Sequence, residues 1–172
     1  MQKRTEFDVS DLAVLAVAVS LEVVLSRFLS IPMWNMKFGF SFLAVAFAAR
    51  RCGLLGGAIV GGLSDAVGAL LFPIGPYYPL ISFVAALNGA VFGLFLRRGQ
   101  AARQVLPAVL ITQIGGSLGL NTLFISWLYS APYLPLLATR ALQTAVMIPI
   151  ELAVLLLLGR SKAYAKLINI GR

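Results

Sequence analysis

Long apolar runs separated by short polar punctuation dominate the chain. A helix needs roughly 20 residues to cross the hydrocarbon core of a bilayer. Six runs approach or reach that length: 9–29, 38–50, 53–72, 80–96, 105–129 and 134–158. The first is interrupted only by Asp11, Glu22 and Arg27. It continues at full length past the point where a cleavable signal would end, so it reads as a retained span. The second is short and stops at Arg50-Arg51. The third is rich in Gly and Ala and gives way to Phe72-Pro73-Ile74-Gly75-Pro76-Tyr77-Tyr78-Pro79, which cannot continue a helix. Arg97-Arg98 closes the fourth run, and Pro-bearing stretches at 30–37 and 130–135 separate others. The pattern predicts an all-α integral membrane protein. Its six transmembrane helices form a single domain over residues 1–172, with no room for a separate soluble one.

Composition leads to the same solvent. Of the 172 residues, 60% are apolar and 12% charged, against roughly 45–50% and about 25% in soluble domains. A soluble globule of this size has too little polar surface to cover so much apolar side chain, and a disordered chain needs low hydrophobicity. The net charge of +8 would point to nucleic acid in a polar chain. Here the bases bracket the apolar runs instead, which is the arrangement that sets membrane topology. Eleven lie on one side (Lys3, Arg4, Arg50, Arg51, Arg97, Arg98, Arg103, Arg160, Lys162, Lys166, Arg172) and three on the other (Arg27, Lys37, Arg140). The first side is therefore the cytoplasmic one, both termini are inside, and no nucleic-acid partner is expected.

Small residues recur every fourth position: Gly53, Gly57 and Gly61, then Gly89 and Gly93, Gly115 and Gly119, Ala141 and Ala145. Such spacing lets helix backbones approach closely. In the first run, Ala13, Ala16 and Ser20 form a similar stripe suited to another subunit.

Ionisable groups inside a span cost about 2.5–3.5 kcal/mol on insertion scales and are functional candidates by default. Asp65 is one, on a face of Gly61, Gly68 and Ala69 that leaves room for a ligand or a tightly packed partner helix; an internal ion pair with Arg27 or Arg140 is the structural alternative. Arg140 and Gln143 share a face. Asn88, Gln113 and Asn121 lie inside the fourth and fifth runs, Glu22 in the outer half of the first. Glu151, in the inner half of the sixth, reads as a structural pairing. The outer segments carry Trp34, Tyr77, Tyr78, Trp127, Tyr129 and Tyr133. Aromatics with a few fixed polar groups are the composition of a small-molecule pocket.

Catalytic and motor chemistry find no footing. With no His and one Cys (Cys52), neither a histidine metal site nor a Ser-His-Asp triad can be built. No paired nucleophile and base stands at helical spacing. A phosphate loop of the G-x-x-x-x-G-K-[ST] type is absent, as is a repeat of broken helices. The reading is a recognition subunit that needs no cofactor or metal and borrows energy from partners.

Three segments carry a family resemblance: Phe38-Gly39-Phe40-Ser41-Phe42-Leu43, the run from Gly56-Gly57-Ala58 through Ser64-Asp65-Ala66-Val67-Gly68, and the loop Phe72 to Pro79 quoted above. They resemble the substrate-binding S components of energy-coupling factor (ECF) vitamin transporters. The loop and Gly119-Leu120-Asn121-Thr122-Leu123-Phe124-Ile125-Ser126-Trp127-Leu128-Tyr129 are most similar to the folate-specific members. The resemblance implies a six-helix N-in/C-in subunit of the prokaryotic cell membrane that captures a vitamin outside. It also implies a membrane coupling subunit met by Ala13, Ala16 and Ser20, and two cytoplasmic ATPases that hydrolyse ATP. For folate, the flat pterin wants aromatic faces and an acceptor on its aminopyrimidinone edge. Trp34, Tyr77, Tyr78 and Trp127 would supply the faces and Asp65 or Asn121 the edge, with Asn88 standing where the family often carries a base. The dianionic glutamate tail wants bases, which Arg27, Lys37 and Arg140 would supply. Riboflavin, thiamin or a queuosine precursor are the alternative ligands. Three outer bases favour an anion over cationic thiamin.

Overall fold

The computed structural model describes residues 8–33, 36–73 and 75–168. Helix α1 (Val9–Arg27) begins where the Asp8 carboxylate accepts from the Val9 N–H at 2.8 Å, which satisfies one of the N–H groups a helix start leaves free. After α1 the chain forms a short antiparallel ribbon, β1 (Ile31–Met33) and β2 (Met36–Phe38), with Pro32 opposite Lys37. Sequence pattern reads 30–37 only as a connection. The structure pairs it, leaving an otherwise helical body.

Helix α2 (Phe42–Leu71) contains a reversal at Gly53, whose φ of 72° and ψ of −151° no helix accommodates. That left-handed region is open to glycine at no steric cost. The two halves then lie side by side: a Cβ on Gly57 would stand 3.1 Å from Ala49 Cβ, although eight residues separate them. The second and third apolar runs are thus the arms of one helical hairpin, with Arg50 and Arg51 at its tip. Helix α3 (Pro79–Leu96) packs more extensively on α2 than any other pair. Small residues set the approach. A Cβ on Gly57 would overlap the Gly89 carbonyl, one on Gly61 the Ala85 carbonyl, and one on Gly93 the Gly53 carbonyl.

The next span, Ala102–Tyr129, is continuous but not uniform. It opens as α4 (Ala102–Leu110), which contains Pro107, widens into a π-helix over Ile111–Asn121, and closes as α5 (Thr122–Tyr129). Ser130 in the left-handed conformation ends it. Helix α6 (Tyr133–Arg160) and the short α7 (Lys162–Ile168) complete the described chain. Among the described residues five helices are long and apolar enough to cross a membrane, with the α2 hairpin counted once. Leu15, Val60, Phe92, Leu96, Val105, Val109, Met147 and Leu155 fill the core between them. Leu12, Val17, Leu70, Phe83, Leu94, Leu142 and Leu157 point outward, as expected where lipid is the solvent.

The basic end is drawn together by Arg51, only 2% exposed. Its Nε donates to Asp11 Oδ1 at 3.1 Å, Nη2 to Ser10 Oγ at 3.1 Å and Nη1 to the Ile168 carbonyl at 3.3 Å. One guanidinium thus joins the start of α1, the hairpin tip and the end of α7. Arg50 donates to the Arg97 carbonyl at 2.7 Å. Both ends of the described chain lie on the side carrying the basic excess.

Candidate functional site

The opposite, aromatic end holds a cavity of about 250 Å³. Local sequence explains its rim. Pro79 opens α3 and restricts the residue before it to extended backbone, so Tyr78 sits at φ −129°, ψ 108°. Tyr77 and Tyr78 are thereby held in the loop above the helix start, and both line the cavity. Asp65 on α2 and Arg27 at the end of α1 face it too, with Ala69, Ile81, Ile125, Leu128 and Tyr129. On the glycine face beside Asp65, the α3 backbone closes in at Gly61, where a Cβ would overlap the Ala85 carbonyl, and Arg27 fills the space at Gly68, where a Cβ would stand 2.8 Å from its Nε.

Among the described residues Asp65 makes no ion pair; neither Arg27 nor Arg140 salt-bridges it. Its Oδ2 accepts from Ser82 Oγ at 2.7 Å, and Ser82 lies 3.5 Å from the Tyr77 hydroxyl. Arg27 Nε is buried without a hydrogen-bond partner. Carboxylate and guanidinium therefore face the same space without neutralising each other.

A second cavity of about 190 Å³ lies one helical turn deeper. Gly61, Ala85 and Asn121 line it where Asp65, Ile81 and Ile125 line the mouth. The offset is four residues on each of three helices, or about 6 Å. This chamber is polar: Glu22, Asn88, Thr112, Gln113, Ser117, Asn121 and Glu151 reach it. The π-helix supplies Gln113, Ser117 and Asn121 at four-residue intervals. Gln113 Nε2 donates to Glu151 Oε1 at 2.6 Å. The Asn88 side chain fits against Gly116, where a Cβ would overlap its Oδ1.

The candidates from sequence therefore divide. Arg27, Asp65, Tyr77 and Tyr78 meet at the mouth, and Asn88 and Asn121 meet in the chamber. Trp127 is 62% exposed and lines neither cavity; it connects through Phe124, whose ring lies 5.9 Å from it and 6.3 Å from Tyr78. Arg140 also lines neither, although its Nε is buried without a hydrogen bond. Lys37 lies on β2, which packs on α6, the helix of Arg140. Trp34 lies outside the described residues. Ala13, Ala16 and Ser20 lie on the exposed face of α1. Sequence reasoning missed Ser82, a hydroxyl with no distinguishing spacing, read Glu151 as a structural pairing, and left Gln113 open between joining helices and lining a site. The signal that could have promoted Glu151 was its being a carboxyl inside a span.

Helices of membrane-crossing length around a cavity open at one end define a multi-pass membrane protein with a solute-sized site. Residues 6–156 match the family described as ECF-type riboflavin transporter, S component. The folate transporter FolT of Clostridium novyi is 33% identical over 142 residues, covering 82% of this chain and 83% of that protein. FolT of Leuconostoc mesenteroides is 22% identical over 156 residues, covering 87% and 84%. A crystal structure of FolT bound with folic acid superimposes with a TM-score of 0.84 at 26% identity, covering 91% of this chain and 98% of that one. The chain belongs to the S-component family of ECF-type transporters, multi-pass proteins of the prokaryotic cell membrane.

Proposed function

We propose that the protein captures folate outside the cell as the substrate-specific subunit of an ECF importer. The carrying observation is the placement of Arg27, Tyr77 and Tyr78 around a mouth in the fold that a folic-acid-bound FolT shares. A guanidinium at the mouth that makes no ion pair among the described residues suits the carboxylates of a glutamate tail. The two tyrosines offer faces to the rings. Asn121 and Asn88, deeper, suit the polar edge of the pterin, whereas Asp65 stays at the mouth with Ser82. Lys37 and Arg140, on packed neighbouring elements, extend the basic flank, and Trp127 the aromatic rim, with Trp34 a further candidate face for the rings. Transport energy comes from a membrane coupling subunit and two cytoplasmic ATPases. The absence of a phosphate loop from the sequence supports that division, and the exposed Ala13, Ala16 and Ser20 supply a face for the coupling subunit.

Riboflavin is the second reading, favoured by the name of the matching family. Tryptophan quenching on detergent-purified protein separates the two. Folic acid is expected to quench saturably and riboflavin to leave that titration unchanged. Displacement of folic acid by riboflavin, or no response to folic acid, rejects folate as the ligand.

A further inference from the structure

Three helix ends on the basic side carry cations that the fold does not use. Arg50 and Arg51 on that side are both engaged, the first at the Arg97 carbonyl and the second with Asp11, Ser10 and Ile168. Arg98 just past the end of α3, Arg103 at the start of α4 and Arg160 at the end of α6 are instead exposed. None of the three forms an ion pair among the described residues. The segments 96–104 and 158–166 that hold them contain no Asp or Glu. These ends adjoin. A Cβ on Gly159 would stand 2.9 Å from the Gln100 carbonyl oxygen, and α4 packs on both α3 and α6.

Each arginine has an exposed leucine about one turn farther into the span. Leu94, four residues before Arg98, is 59% exposed; Leu106, three after Arg103, is 46% exposed; and Leu157, three before Arg160, is 66% exposed. On α4 and α6 that spacing puts leucine and arginine on one face. The same end thus offers cations at the depth of lipid headgroups and apolar surface at the depth of acyl chains.

We propose that the adjoining ends of α3, α4 and α6 bind one anionic phospholipid of the cytoplasmic leaflet. Arg98, Arg103 and Arg160 hold its phosphate, and its chains lie along Leu94, Leu106 and Leu157. Basic clusters where helices meet on the cytoplasmic side suit such headgroups, and the guanidinium fork matches phosphate oxygens in pairs. A free phosphate would engage the arginines alone and leave the three leucines without a role. A zwitterionic lipid brings its own cation to a cluster that holds no acid. This site lies across the membrane from the cavity mouth, so it stands or falls independently of folate capture.

The test is native mass spectrometry of the full chain released from detergent and titrated with dioleoyl phosphatidylglycerol, dioleoyl phosphatidylcholine or inorganic phosphate. On the unaltered protein the first phosphatidylglycerol is expected to bind at least about tenfold tighter than phosphatidylcholine. Equal affinities overturn the proposal without any mutation. Arg103→Gln and Arg160→Gln are each expected to weaken phosphatidylglycerol about fivefold and to leave phosphatidylcholine unchanged. Lys166→Gln removes the same charge from the exposed face of α7, and is expected to cost less than about twofold. Equal losses at Lys166 and the two arginines would mean a diffuse surface charge and overturn the site. Inorganic phosphate that displaces phosphatidylglycerol at equal concentration would leave an anion pocket and overturn the lipid.

Discussion

The guanidinium of Arg27 occupies the space that a side chain at Gly68 would fill, its Nε 2.8 Å from where that Cβ would stand. The cation is seated at the mouth by shape, and its Nε has no hydrogen bond to hold it. A methyl group on residue 68 meets the far end of a flexible side chain, so the fold yields at little cost while Arg27 moves. Gly68→Ala is expected to weaken folic acid binding at least about fivefold while leaving the melting temperature of the ligand-free protein nearly unchanged. Arg27→Ala should cost at least about tenfold, the worth of a charge-assisted bond, and should spare 6-methylpterin, which has no tail. The double variant should bind no worse than Arg27→Ala, because both changes act through one group. Additive losses would remove this coupling.

Ser82 connects Asp65 to the ring of Tyr77. Ser82→Ala removes the Asp65 donor and the hydroxyl beside Tyr77. A net hydrogen bond contributes about 0.5–1.5 kcal/mol, so folic acid affinity is expected to fall roughly two- to tenfold. Equilibrium quenching titrations measure it. Unchanged affinity would make Ser82 a bystander.

Gly89 tests the packing between α2 and α3. Its Cβ would overlap the Gly57 carbonyl, which is backbone and cannot swing aside. Gly89→Ala is expected to cost about 1–3 kcal/mol through overpacking, read as a lower melting temperature in detergent. Gly115→Ala is the control, because a Cβ there meets nothing within 4 Å.

Legibility from sequence was uneven, for physical reasons. Hydropathy windows reveal spans because a bilayer forces some twenty consecutive apolar residues. The Arg50-Arg51 pair marked the hairpin tip because bases stop at the interface. The 31–38 ribbon was invisible: three residues per strand carry too little alternation to register. The π-helix was equally hidden, since hydrogen-bond register leaves no compositional trace beyond glycines such as Gly115 and Gly119. At the site, Asp65, Tyr77 and Tyr78 could be picked out as an ionisable group within a span and aromatics in a Pro-rich loop. Contacts between distant residues could not. Gln113 and Glu151 are 38 positions apart, and no periodicity within one helix encodes which partner another helix brings. Arg140 lay on the expected side yet off both cavities, because sequence fixes depth along a helix more firmly than rotation about it.

The exposed stripe on α1 separates capture from delivery. The Ala16 side chain is exposed, and its carbonyl accepts from Ser20 Oγ at 3.0 Å. Ala16→Trp is therefore expected to leave folic acid affinity within about twofold and to reduce uptake into cells carrying the partner subunits at least about tenfold. Loss of both would place Ala16 in the fold. Loss of neither would remove this face from partner contact.

Arg51 turns the basic end into a pivot. With the start of α1, the hairpin tip and α7 pinned by one side chain, small rotations there are magnified at the far end. Helix α1 has 19 residues, a lever of roughly 28 Å at 1.5 Å per residue, so a tilt of about 5° carries Arg27 some ~2.5 Å sideways. The α2 hairpin and α3 approach backbone to backbone, so the one side chain at the basic end and the glycine seam beside it together set where the far end of α1 carries Arg27.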